Sequence, residues 1–443
     1  MADVLIILMA GLATMTPIWL ARRHGMLPLV SPLHFVGYFC AAGFLVKALV
    51  YPHFPDWAFY RRFVEDPDAG LIGASYLTAF VLAICLGYRI AVPVVSGGPS
   101  RLDSEDAITA VKNRHLLFVI AIAVAALTYV AILRARGIDA LTPDLLQQLN
   151  KDKQINVNAD GVGATLAGVK SFFVIPKCAF VLLLGNGLIR SDKVALLQAV
   201  FLGALLLLVA LVSGDRFELV ELFAYGTITY VIVGGRAHGA AWATVVVAAG
   251  LVFGLSAYMT TLRGSEAGLL HQLVGSTYFL DLNAAVLVNA HVTPDMQLWG
   301  QSYGWWSFGW VPRSIWPEKP AIDLGVYLKR DVLGVMTGGA FNVTGPGEAY
   351  INFGSWGVLV GVALGALYRW LEVALLSFGP RGALTQFLVY PLIFYPFVQA
   401  TLQSSMSAYV VGAAAQLVLV LLVVRLCRPS RKASGRWGLQ HAV

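Results

Sequence analysis

Apolar residues run in blocks of roughly twenty along most of the chain, broken by short polar turns. A bilayer core is crossed by a helix of about 20 apolar residues. On that measure the pattern predicts about eleven spans: residues 3–21, 27–50, 71–92, 115–133, 166–189, 194–213, 218–234, 239–261, 353–373, 383–400 and 407–425. The stretch from Leu269 to Ala290 is apolar but interrupted by His271, Gln272, Asp281 and Asn283. It suits a protein-packed or re-entrant helix better than a lipid-exposed one, because lipid offers polar groups no partner.

Two interruptions are long. Residues 134–165 have room for a short amphipathic helix near Pro143–Asn150 and read either as a solvated connector or as a substrate-guiding flap. The region 262–352 is the larger. Its second half, GQSYGWWSFGWVPRSIWPEKP from residue 300 and then GPGEAYINFGSWG, is too polar and irregular to cross a bilayer. A loop of this kind among lipid-facing helices is where chemistry on a polar substrate belongs.

Composition agrees with the pattern. Of 443 residues, 58% are hydrophobic and only 12% charged, and the mean hydropathy is +0.73; water-soluble domains carry about twice that charge. The expected architecture is an all-α polytopic membrane protein, one domain over 1–443, with 262–352 as a large loop region within it. The first span has no Arg or Lys ahead of it and no small-residue cleavage site, so it reads as retained. Cys40, Cys85, Cys178 and Cys427 form no CxxC pair, which disfavours zinc and disulfide roles; the first three read as small buried hydrophobes.

Charge sets the orientation. Arg22–Arg23, Arg101 with Lys112 and Arg114, Arg190 with Lys193, Arg236, Arg369 with Arg381, and the RLCRPSRK tail all fall on one side. The positive-inside rule makes that side cytoplasmic. The N-terminus and the loops 51–70, 134–165, 214–217 and 262–352 then face outward, and the C-terminus inward. The net charge of +7 is accounted for by cytoplasmic loops and tail, with no basic face for nucleic acid.

Candidate chemical groups concentrate on the outward side. Arg216, in a turn of a few residues between two spans, suits bidentate phosphate binding; a salt bridge with Asp215, Glu218 or Glu221 is the alternative. Arg263 stands just past a span, as a phosphate ligand or an interfacial anchor. Arg313 lies among Pro312, Pro317 and Pro320, which keep the backbone extended and stiff and so aim the guanidinium. Lys319 assists as a point charge or pairs with Glu318. Trp299, Trp305, Trp306, Trp310 and Trp316 suit both a membrane interface and stacking on sugar rings. Glu348, set among glycines that permit close approach of a substrate, is a general-base candidate or a counter-ion. His271 is a second base option or a packed core histidine. Lys47 and Lys177 lie near outer span ends, where snorkelling is the default. No Walker loop, HExxH or paired-Asp metal motif occurs, which leaves diphosphate charge to guanidinium groups.

The order of these features resembles the Wzy-type oligosaccharide repeat-unit polymerases, relatives of the O-antigen ligases. The resemblance rests on SGDR at 213–216 opening a span, Arg263 after the eighth span, the tryptophan- and proline-rich stretch at 304–320, and GEAYINFG at 347–354. The hydropathy profile matches along the whole chain, the residues only over about 210–370. Some members carry two arginines each followed by ten residues and a glycine; here Arg263 to Gly275 and Arg313 to Gly325 enclose eleven. The resemblance implies a GT-C-like bundle in the bacterial inner membrane that needs no cofactor or metal. It implies transfer of an undecaprenyl-diphosphate-linked glycan onto another lipid-linked repeat unit at the periplasmic face. A chain-length regulator and a flippase of the same pathway would be partners. Glu348, Arg313 and His271 become the catalytic candidates, and Arg216, Arg263, Lys319, Tyr350, Asn352, Trp305 and Trp316 the substrate-binding ones. Alternatives are an O-antigen-ligase-type transferase and a lipid-linked oligosaccharide flippase. Against the flippase, the sequence has no duplicated half-chain pattern.

Overall fold

A computed structural model describes residues 1–26, 29–92, 111–135, 171–213, 216–233, most of 247–261, 269–311, 315–335 apart from 317, 320 and 321, 341–376, and 384–427 apart from 404. Every regular element among them is helical. The principal ones are α1 (Ala2–Arg23), α2 (Pro32–Val50), α3 (Ala69–Ala91), α4 (Arg114–Ala135), α5 (Val174–Arg190), α6 (Lys193–Ser213), α7 (Arg216–Ile232), α8 (Leu269–Gly275), α9 (Leu282–His291), α10 (Thr344–Phe353), α11 (Val358–Leu376), α12 (Leu384–Gln403) and α13 (Met406–Cys427).

Among the described residues, eight helical stretches are long and apolar enough to cross a membrane. They are α1 to α4, the stretch containing α5, α6, the α10–α11 unit and α13. The predicted spans at 218–234 and 383–400 are the helices α7 and α12, the latter with Pro391 and Pro396 inside it. The predicted span at 239–261 lies largely outside the described residues, as do most of 134–165 and the basic residues Arg101, Arg236 and Arg381.

Gly361 and Gly365, four apart on α11, let that helix press its backbone onto α3. A Cβ at Gly361 would lie 2.8 Å from the Phe80 carbonyl oxygen, and one at Gly365 would meet the Ile84 carbonyl. Gly87 returns the contact against Val362. Helices in lipid gain nothing from hiding apolar surface, so close backbone packing through small residues has to hold them together.

The 269–290 stretch is broken. Two short helices, α8 and α9, meet at residues 276–281. Asp281 accepts hydrogen bonds from the Asn283 and Ala284 amides (2.8 and 3.2 Å), capping α9. Its other oxygen is 2.5 Å from Lys47 Nζ on α2. Lys47 and Asp281 are 1% and 0% exposed, so Lys47 does not snorkel: it pins the break to α2. Lys47 also donates to the Ser276 carbonyl, as does Asn283 Nδ2 at 3.0 Å.

The bundle has two distinct ends. At one, the Lys112 amide bonds the Cys427 carbonyl (3.0 Å), Arg114 pairs with Asp192 in the α5–α6 turn, and Tyr390 reaches the Val30 carbonyl (2.8 Å). Arg22, Arg23, Arg89, Lys112, Arg114, Arg190, Lys193 and Arg425 gather there. Arg369, expected in a basic loop, is instead 4% exposed inside the bundle, with Nη1 3.5 Å from Glu372. The other end carries the starts of α1, α3, α5, α7 and α13, and the segments 51–68 and 296–357. All four cysteines are free and buried.

Candidate functional site

Glu348 organises the less basic end. It sits on α10, whose residues Thr344–Ala349 are buried. Gly345 lies so close to the Thr401 carbonyl of α12 that no Cβ fits. Gly354, at φ +57, stops α10 and lets the chain turn into α11. Glu348 is 2% exposed. Its Oε1 accepts the Ser302 hydroxyl at 3.0 Å, and its Oε2 the Met406 amide at 2.8 Å. Met406 opens α13, so the carboxylate caps a helix N-terminus, where a negative charge is favoured.

Asn352, one turn along α10, completes the cluster. Its Nδ2 donates to Ser302 Oγ (2.7 Å) and to the Glu348 carbonyl (2.8 Å), and its Oδ1 accepts from the Gly300 amide (2.9 Å). Ser407 donates to the Ser302 carbonyl. The Leu298 and Trp299 amides bond the carbonyls of Ile351 and Asn352 at 3.0 and 2.9 Å. Three segments distant in sequence, 298–302, 348–352 and 406–407, are thereby tied into one polar hub. Beside it, burial and the Glu348 charge push the Tyr303 hydroxyl well above the ordinary phenol range.

The other predicted residues divide. Tyr350 packs edge-on against Tyr76 (5.0 Å between ring centres), whose hydroxyl bonds the Pro346 carbonyl. Trp305 is half-buried against Tyr327, and Trp316, 40% exposed, meets Phe308 edge-on. Lys319 Nζ donates to the Gly309 and Val311 carbonyls (3.1 and 2.9 Å), bracing its own loop. His271 sits edge-on to Trp57, 5.0 Å between ring centres. Arg216 is the first residue of α7; Arg263 and Arg313 lie outside the described residues. The hub therefore unites Glu348 and Asn352, with Tyr350 on their helix.

Sequence reading missed Ser302, Ser407 and the Met406 amide. Residues 300–304, GQSYG, do spell the G-x-S-x-G of a nucleophile elbow, but that motif needs a strand-to-helix turn, and Ser302 stands in the short helix Gln301–Gly304. The partner of Glu218 and Glu221 was also missed: Lys177 on α5 lies 2.6 and 2.7 Å from them, with the Tyr225 hydroxyl 3.4 Å from Glu221.

An apolar groove of about 280 Å³ runs down the bundle flank between α11, α12 and α13, lined by Leu367, Leu371, Leu375, Ile393, Phe394, Phe397 and Tyr409. Tyr409 is three residues beyond Met406, so the groove ends one turn below the hub. Among the described residues, no three His, Cys, Asp or Glu side chains stand close enough to hold a metal. No family model, curated protein or solved structure matches the chain.

Proposed function

We propose that the chain is a membrane glycosyltransferase of the lipid-linked oligosaccharide polymerase type, working at the end of the bundle that carries Glu348. One observation carries this reading: a buried carboxylate hub at one end of an apolar helix bundle, with an apolar groove on the flank that ends about one turn short of it. That arrangement suits a substrate with a hydrocarbon tail and a polar head. The cluster of basic residues at the opposite end supports a hub facing away from the cytoplasm.

In the proposed reaction an acceptor sugar hydroxyl attacks the anomeric carbon of the donor. The new C–O bond forms as the bond to the diphosphate breaks, and the diphosphate leaves on its lipid. Glu348 Oε1 holds the Ser302 hydroxyl at hydrogen-bonding distance. We assign that position to the acceptor hydroxyl during the reaction, with Glu348 taking its proton. Arg216, Arg263 and Arg313 are assigned to the departing diphosphate, where guanidinium groups stabilise developing charge.

Purified protein incubated with a lipid-diphosphate-linked oligosaccharide should give a ladder of longer glycans. Glu348→Gln should cut chain growth by about 10²–10⁴-fold, the usual contribution of a positioned base, and Arg216→Ala and Arg313→Ala should leave single repeat units unextended. Ser302→Ala, which empties the proposed hydroxyl position, should keep the ladder. Long chains from all three charged-residue variants would overturn the assignment.

A further inference from the structure

The tryptophans of the 299–316 segment are not consumed by the hub. Trp299, Trp306, Trp310, Ile315 and Trp316 are exposed, as is Trp356 at the entry to α11, from 40% for Trp316 to 76% for Trp356. Large aromatics carry about 150–250 Å² each. Five such rings at 40–76% exposure, with Ile315, together approach or exceed the roughly 300–600 Å² of the largest apolar patch on a typical soluble monomer.

The segment does not project from the bundle. Gly309 lies against Val411, where a Cβ would collide with the valine side chain. Val411 is five residues past Met406, about 7.5 Å down the helix axis at 1.5 Å per residue. Along α13, residues 410–413 are half-covered, and full exposure begins at Ala414 and Ala415 and continues at Leu417 and Val418. The segment thus lies against α13 within one turn of where the exposed surface of that helix begins. Trp356, in the tight turn Gly354–Gly357 that leads into α11, and Leu359 at the start of that helix are both exposed.

The polar side chains fit this placement. Gln301, Ser307 and Glu318 are exposed among the aromatics, so polar groups accompany them. Lys319 covers the Gly309 and Val311 carbonyls, as backbone near lipid requires. Exposed tryptophans interspersed with polar residues, next to long apolar helices, are the composition of an interfacial element.

We propose that residues 299–311, with Ile315 and Trp316, form a strap seated in the headgroup layer of the membrane, with Trp299, Trp306, Trp310, Ile315, Trp316 and Trp356 inserted to the acyl boundary. The strap sets the depth of the hub, because Trp299 and Asn352 share a backbone hydrogen bond. Its partner is phospholipid, and this holds whether or not the glycan reading does.

The native cysteines are buried, so single cysteines placed at Ile315, Trp306 and Asp295 can carry an environment-sensitive fluorophore. Each is reconstituted in phosphatidylcholine vesicles bearing a nitroxide either near the headgroup or near the chain end. Ile315→Cys and Trp306→Cys should show blue-shifted emission and lose intensity mainly to the headgroup-proximal nitroxide. Asp295→Cys, in the exposed turn Pro294–Met296, should respond to aqueous iodide instead. Iodide quenching of Ile315→Cys and Trp306→Cys with no nitroxide effect would overturn the strap. So would recovery of a water-like spectrum that only added oligosaccharide reverses, which would make the face a sugar platform. Ile315→Cys keeps every tryptophan, so the outcome does not depend on a damaged fold.

Discussion

Lys47 and Asp281 illustrate how much one buried charge pair decides. Removing one partner of such a pair leaves the other ionised and unmatched, at a cost of about 3–5 kcal/mol. Lys47→Met should therefore lower the unfolding temperature of the detergent-solubilised protein sharply, and Asp281→Asn should do so as well. Asparagine is still a good N-cap, so the double variant removes both charges while keeping the cap. It should be more stable than either single variant; equal or greater loss would mean the pair is not coupled. The sequence marked Asp281 only as a polar interruption of an apolar stretch; its role as the cap of α9 came with the fold. Nor did the sequence show the partner, since a lysine near a span end and one bonded across the bundle look alike until the fold brings residues 47 and 281 together. Glu348 was legible for a similar reason: a carboxylate among glycines stands out. Ser302 and the Met406 amide were not, because a hydroxyl and a backbone N–H acquire a role only through their neighbours.

For helices, what the hydrophobic pattern carries is length, and what it leaves open is mutual approach. Most span boundaries were readable because a block of about twenty apolar residues has few other uses. That 269–290 differs from a lipid-exposed span was readable from its polar interruptions; that it divides into two helices was not. The α3–α11 seam was visible only as scattered glycines, and which ones face a neighbour depends on rotation about each axis. The seam makes a clear prediction. Gly365→Leu should prevent α11 from closing on α3 and abolish recovery of folded, monodisperse protein, as judged by size-exclusion chromatography in detergent. Gly412→Ala, on α13 with nothing within 4 Å of its would-be Cβ, should leave the elution profile unchanged. If both behave alike, close backbone contact at the seam is not what holds these helices.

Across the whole molecule, separation of charge between the two ends follows from loops that are dispersed in sequence yet gathered in space. The turn at Asp192, the start of α4 and the end of α13 meet through Arg114 and the Lys112 amide, and the basic residues collect around them. Sidedness can be measured directly. In sealed vesicles of known orientation, a membrane-impermeant maleimide on the outer face should label Asp295→Cys, and Lys193→Cys only after permeabilisation. The reverse pattern would invert the proposed orientation while leaving the bundle intact. Residues 239–261 and the arginines at 263 and 313 were prominent in the sequence, and their contribution rests on residue type and position alone.

The linkage of Glu348 to the Met406 amide also bears on how the protein is made. The chain emerges from its N-terminus, and the segment around Ser302 is synthesised about a hundred residues before α13. Until α13 is in place, Ser302 has no Ser407 beneath it and Glu348 lacks its second donor. The hub is therefore a late event in biogenesis: it closes when α13, the last long helix among the described residues, enters the membrane. Release of the nascent chain before that point would leave inserted helices with a buried carboxylate short of one donor.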